Sequence, residues 1–73
     1  MKKLQETAID RAIRIAGGPK EVARKLKIKR VWSVYKWQHR QQIPPQHIIP
    51  LEKLTNGEVT RHELDPELYP DSN

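Results

Sequence analysis

The sequence predicts an all-α fold of four to five short helices in one compact domain, and three observations carry that expectation. Apolar residues recur at helical rather than alternating spacing. The apolar stretches are punctuated by Gly17-Gly18-Pro19, Ile43-Pro44-Pro45 and Asn56-Gly57, which read as helix stops and starts. At 73 residues without Cys, the chain must hold itself with a small core, because no disulfide or thiolate metal site can replace one. A domain this size buries about 60% of its unfolded surface. The domain is expected over residues 1–69, with 70–73 a disordered tail.

The first helix is expected from Thr7 to Ala16, with Ala8, Ile9, Ala12, Ile13, Ile15 and Ala16 facing inward and Asp10, Arg11 and Arg14 outward. Leu4 extends the inward face by a turn. Gly17 stops the helix, since glycine takes a left-handed C′ position without a Cβ clash. Pro19 then suits the first position of a second helix through Leu26, with Gly18 as its N-cap. Val22, Ala23 and Leu26 form the inward stripe.

Lys27-Ile28-Lys29-Arg30 makes a turn, with Ile28 as its apolar plug. The third helix is expected from Val31 to Arg40. On a helical wheel Val34, Trp37 and Gln41 share one face, while Trp32, Tyr35, Lys36, His39 and Arg40 share the other. Pro45 can open a fourth helix. Pro50 lies inside it, so a short first turn and a kink before Leu51-Glu52-Lys53-Leu54 are expected. Thr60-Arg61-His62-Glu63 fits a capping box and hence a last short helix. A small hairpin around Asn56-Gly57, with Glu58-Val59-Thr60 as a strand, is the second-ranked reading.

The formal net charge of +5 conceals a division. Residues 1–42 carry 12 Lys/Arg against 3 Asp/Glu, a balance of +9, while residues 43–73 carry 2 against 6, a balance of −4. A basic half points to a polyanion partner. No large apolar face is left for lipid, which disfavours a membrane surface. Two short helices, a tight turn and a basic outward face are the makings of a helix-turn-helix. Ala23 supplies the small residue where the helices cross, and Ile28, Val34 and Trp37 fix the crossing.

Gly17-Gly18-Pro19-Lys20-Glu21-Val22-Ala23, Ser33-Val34-Tyr35-Lys36-Trp37, Ile43-Pro44-Pro45 and Thr55-Asn56-Gly57-Glu58-Val59-Thr60-Arg61-His62-Glu63-Leu64 follow in that order. Together they resemble the Cro-like, YdaS-type helix-turn-helix proteins of bacterial prophages. The resemblance implies a lambda-repressor-like fold, with the helix-turn-helix at about residues 19–41. It also implies binding of double-stranded operator DNA as a homodimer, and repression. Some relatives of this type belong to toxin–antitoxin systems. By match to the family motif, Val31, Trp32, Tyr35 and Lys36 occupy base-facing positions. Two departures stand out: Lys27 replaces the usual turn glycine, and Lys29 or Arg30 stands where a Ser/Thr cap precedes the recognition helix.

Lys36 has the reach for guanine O6 or N7, Tyr35 can donate to a base or a phosphate, and Val31 and Trp32 can meet thymine methyls. For Trp32, packing against the first helix is the competing reading. Lys20, Lys29, Arg30, His39 and Arg40 suit phosphates, which position without specifying. Ile43, Ile48, Ile49 and Leu54 are the candidate dimer interface. His39, His47 and His62 lack ligand spacing, so no metal is expected. No nucleophile–base pair or phosphate loop stands out, so neither an enzyme, a cofactor nor a small-molecule substrate is expected. The N-terminus lacks the apolar stretch of a signal peptide, which predicts a cytoplasmic, nucleoid-associated protein. The alternative function is an antitoxin-type interaction module that also binds DNA.

Overall fold

A computed structural model describes residues 6–70. Among these, the helices are α1 (Ala8–Ile15), α2 (Pro19–Lys25), α3 (Trp32–Arg40), α4 (Pro45–Leu54) and α5 (Arg61–Leu64). No strand occurs among the described residues. The hairpin reading therefore gives way: Val59 is buried and its N–H donates to Thr55 Oγ1 at 3.2 Å, which makes a turn into α5. The expectations for Leu4 and for residues beyond Pro70 lie outside the described residues.

The centre of the fold is α1, which packs against each of the other four helices. Its Ile9, Ala12 and Ile13 are buried, as the spacing predicts. Thr7 is the cap rather than the first helical residue, its Oγ1 accepting the Asp10 N–H at 3.1 Å. At the other end Gly17 N–H donates to the Arg14 carbonyl at 3.0 Å and Gly18 N–H to Ile13 at 2.8 Å, a complete Schellman closure. Glycine is required at position 17 twice over. Its φ is +111°, and an added Cβ would stand 2.9 Å from Glu21 Cγ.

The same closure ends α2, without glycine. Lys27 takes φ 59°, Ile28 N–H reaches the Ala23 carbonyl at 2.8 Å, and Ile28 packs against the core. That directs the chain into α3, whose Val34 and Trp37 are buried. Gln41, at φ 54°, ends α3 in turn, and Gln42 N–H donates to the Trp37 carbonyl at 3.1 Å.

One helix, α4, runs from Pro45 through Pro50 to Leu54, so Pro50 does not split off a separate short first turn. Proline inside a helix costs about 3 kcal/mol. Ile48 and Leu51, on either side of it, are fully buried. Burying two such side chains contributes about 3–6 kcal/mol, which offsets that cost. The helix ends on Thr55, a buried polar residue that is satisfied: its hydroxyl donates to the Glu52 carbonyl at 2.7 Å and accepts from Val59. The capping box of α5 is present as read, with Glu63 N–H to Thr60 Oγ1 at 3.3 Å and Thr60 N–H to Glu63 Oε1 at 3.1 Å.

Burial corrects the dimer candidates. Ile43 and Ile48 belong to the core of the single chain, exposed by 3% and 0%. Pro44-Pro45 turns Ile43 inward, and Ile48 lies on the same face of α4 as Leu51. Leu54 is half-buried and packs against the core, which leaves Ile49, also half-buried, as the member of that set with apolar surface to offer.

Candidate nucleic-acid interface

The turn between α2 and α3 fixes what each face of α3 does. Val34 and Trp37 anchor its inner face. Trp32, Tyr35, Lys36, His39 and Arg40 are exposed on the outer one. Trp32 and Tyr35 are each 51% exposed, so the packing of Trp32 against α1 is not realised. Instead Lys36 Nζ stands 4.9 Å from the centroid of the Trp32 ring. Val31 departs from the base-facing set in part: it is half-buried and packs against the core, so most of its side chain anchors the entry to α3.

Around this helix the charge is nearly all of one sign. Residues 20–40 hold eight Lys/Arg (Lys20, Arg24, Lys25, Lys27, Lys29, Arg30, Lys36, Arg40) and one carboxylate, Glu21. The Arg24 guanidinium pairs with Glu21 at 2.6 Å and holds that carboxyl below its usual range. Lys20, Lys29 and Arg30 are exposed at the start of α2 and in the turn. No side chain caps the first turn of α3, where Val31 is already helical at φ −62°, ψ −26°. Backbone donors at a helix start favour an anion.

A shallow groove of about 360 Å³ runs between α3 and the start of α4. Ser33, Lys36, Arg40 and Gln42 give it a polar lip, and Trp37, Ile43, Pro44 and Pro45 an apolar floor. Below the floor, the Trp37 ring stacks against His47 at 5.2 Å between centroids, and burial pushes the His47 imidazole below its ordinary value. His62 Nδ1 lies 3.0 Å from the Tyr69 carbonyl, at the far end of the domain from α3 in chain order.

Sequence reasoning missed what holds the C-terminal end of α3. Asp10, read as an outward residue, accepts from Gln38 Nε2 at 3.3 Å and Gln41 Nε2 at 3.2 Å. Gln41 also donates to the Gln38 carbonyl at 2.8 Å. A carboxylate on α1 thus ties α3 to the centre of the fold. The i, i+3 spacing of the two glutamines was the available signal. Arg11, another outward residue, pairs with Glu63 at 3.0 Å, and Thr60 N–H first and Arg11 second hold the Glu63 carboxyl low.

An all-α domain whose second and third helices cross at a tight turn, with the third helix basic on its outer face, is a helix-turn-helix domain. The sequence pattern of the family described as "Bacterial toxin YdaS" matches residues 9–73, and the chain belongs to that family. The resemblance read from the sequence is borne out at this level. No curated protein and no solved structure matches the chain. No helix among the described residues is long and apolar enough to cross a membrane.

Proposed function

We propose that this protein is a sequence-specific DNA-binding transcriptional regulator, a Cro-like repressor that binds a short inverted repeat as a dimer. The observation that carries the reading is the outer face of α3, where Trp32, Tyr35 and Lys36 stand exposed beside a concentration of cations with Glu21 as the one carboxylate in the same stretch of chain. A helix so presented enters the major groove with its first turns against base edges. Lys36 and Tyr35 then read bases. Lys20, Lys29, Arg30, His39 and Arg40 hold phosphates, with Arg40 in the groove beside α4. The work is binding rather than catalysis, and it draws on no cofactor, metal or small-molecule substrate.

Dimensions favour two copies on one duplex. The domain extends 36 × 36 × 22 Å. Recognition helices of a dimer sit about 34 Å apart, one duplex turn, so neighbouring copies would meet edge to edge. Selection of duplexes from a random library should return an inverted repeat with that spacing. If each subunit neutralises about five phosphates, the log–log salt slope for the dimer is about −9. A shallow slope with no preferred site refutes the reading.

One observation favours a second reading, an interaction module of a toxin–antitoxin system, and the family's description as a bacterial toxin accords with it. Leu68 is 48% exposed in the acidic half of the chain, although Tyr69 beside it is half-buried under Arg61. Leu68→Asp separates the two readings: lost partner capture with unchanged operator affinity supports an interaction surface there.

A further inference from the structure

Trp32 and Lys36 stand one helical turn apart on α3, and the ammonium lies 4.9 Å from the indole centroid. Packing does not explain an indole left 51% exposed on the face opposite the core. Nor does a bare lysine make a sharp reader, because its flexible stem must be ordered before it can select one base. An aromatic face beneath the ammonium supplies that order through the ring quadrupole.

We propose that Trp32 and Lys36 form a single reading unit for a guanine adjacent to a thymine in each half-site. This rests on the DNA-binding reading and adds its specificity. Lys36 Nζ donates to guanine O6 or N7, and the indole meets the thymine C5 methyl. The adjacency follows from the contact: groups 4.9 Å apart, on the scale of one base-pair step of about 3.4 Å, reach neighbouring base pairs. Trp32 is thus both a thymine contact and the positioning residue of Lys36. The same lysine also lines the groove with Ser33 and Arg40, where a phosphate would take it instead.

The test measures binding of the full chain to its selected duplex, and to duplexes changed at the guanine or the thymine, for wild type, Trp32→Ala, Trp32→Phe, Lys36→Ala and the double alanine variant. Both side chains are exposed, and unfolding curves confirm that each variant folds. Lys36→Ala should abolish the guanine preference. Trp32→Ala should abolish the thymine preference and lower the guanine preference about two- to fivefold, the equilibrium factor of an exposed cation–π contact. Trp32→Phe should retain most of both. The double variant should discriminate guanine no worse than Lys36→Ala alone. Independent effects, or a uniform loss on every duplex after Lys36→Ala, would overturn the unit while leaving DNA binding intact. Failure of the wild type to prefer any duplex would remove the DNA-binding reading and this inference with it.

Discussion

Lys27→Gly should stabilise the protein, and the turn geometry says by how much. Lys27 sits at φ 59° in the closure that ends α2, with its N–H on the Arg24 carbonyl at 3.3 Å and Ile28 N–H on Ala23 at 2.8 Å. An L-residue in the left-handed region is strained by roughly 1–2 kcal/mol. Glycine removes that strain, but its unfolded chain is freer, which takes back about 0.5–1 kcal/mol. The net gain is about 0.5–1 kcal/mol, or about 2–8 °C in the midpoint of thermal unfolding for a domain of this size. Calorimetry or circular dichroism melting measures it. Because Lys27 stands among Lys25, Lys29 and Arg30, removing its charge could also stabilise by relieving repulsion. Lys27→Ala isolates that effect, since alanine removes the charge and retains the strain. Equal stabilisation by alanine and glycine would refute the backbone account.

Four other substitutions probe the rest of the fold. Ile48→Ala, at a fully buried position, should cost about 2–5 kcal/mol, against a total near 4–11 kcal/mol for a domain of 73 residues. Ile49→Ala, on half-buried surface, should cost clearly less; equal losses in urea unfolding would contradict the assigned burial. Thr60→Ala removes the cap of α5 and should cost about 1 kcal/mol, seen as earlier hydrogen exchange around Leu64. His47 titrates below its ordinary 6.5 because its partial burial disfavours the charged imidazolium. The unfolded chain therefore binds the proton first, so stability is full above pH 6.5 and declines as pH falls below it. His47→Phe should flatten melting temperature against pH in that window, and an unchanged profile would exclude His47 as the cause.

Helix identity was legible because it rests on local chemistry. Ile9, Ala12 and Ile13 share one helix face, Gly17 permits one backbone turn, and Thr60 with Glu63 closes one cap, each within a few residues. The errors fall where distant parts of the chain decide. Pro50 predicts a break from its own chemistry, yet α4 runs through it, with Ile48 and Leu51 buried on either side. Ile43 looked like spare apolar surface until Pro44-Pro45 turned it into the core. Asp10 to Gln38 and Gln41 spans 28 and 31 residues, and no periodicity within α1 announces it. The exposed face of α3 was readable from the helical wheel, but the Lys36–Trp32 contact required side-chain conformations.

The two ends of α3 are held by different means, and that asymmetry bears on how the helix could meet DNA. Its C-terminal end is closed by Gln41 and Gln42 on Trp37 and tied through Asp10 to α1, the helix that touches all the others. Its N-terminal end has the Schellman turn at Lys27, the half-buried Val31 and backbone bonds to the Arg30 and Val31 carbonyls, but no side-chain cap. A missing cap costs about 1 kcal/mol in the free protein. Anions are favoured at such a helix start, so a phosphate placed there would recover part of that energy on binding. The absent Ser/Thr cap and the basic turn then belong together. Ser33 N–H and Val34 N–H already donate to the Arg30 and Val31 carbonyls at 3.0 and 2.9 Å, so under the proposed DNA-binding reading it is the charge of Lys29 and Arg30 that would hold a phosphate there.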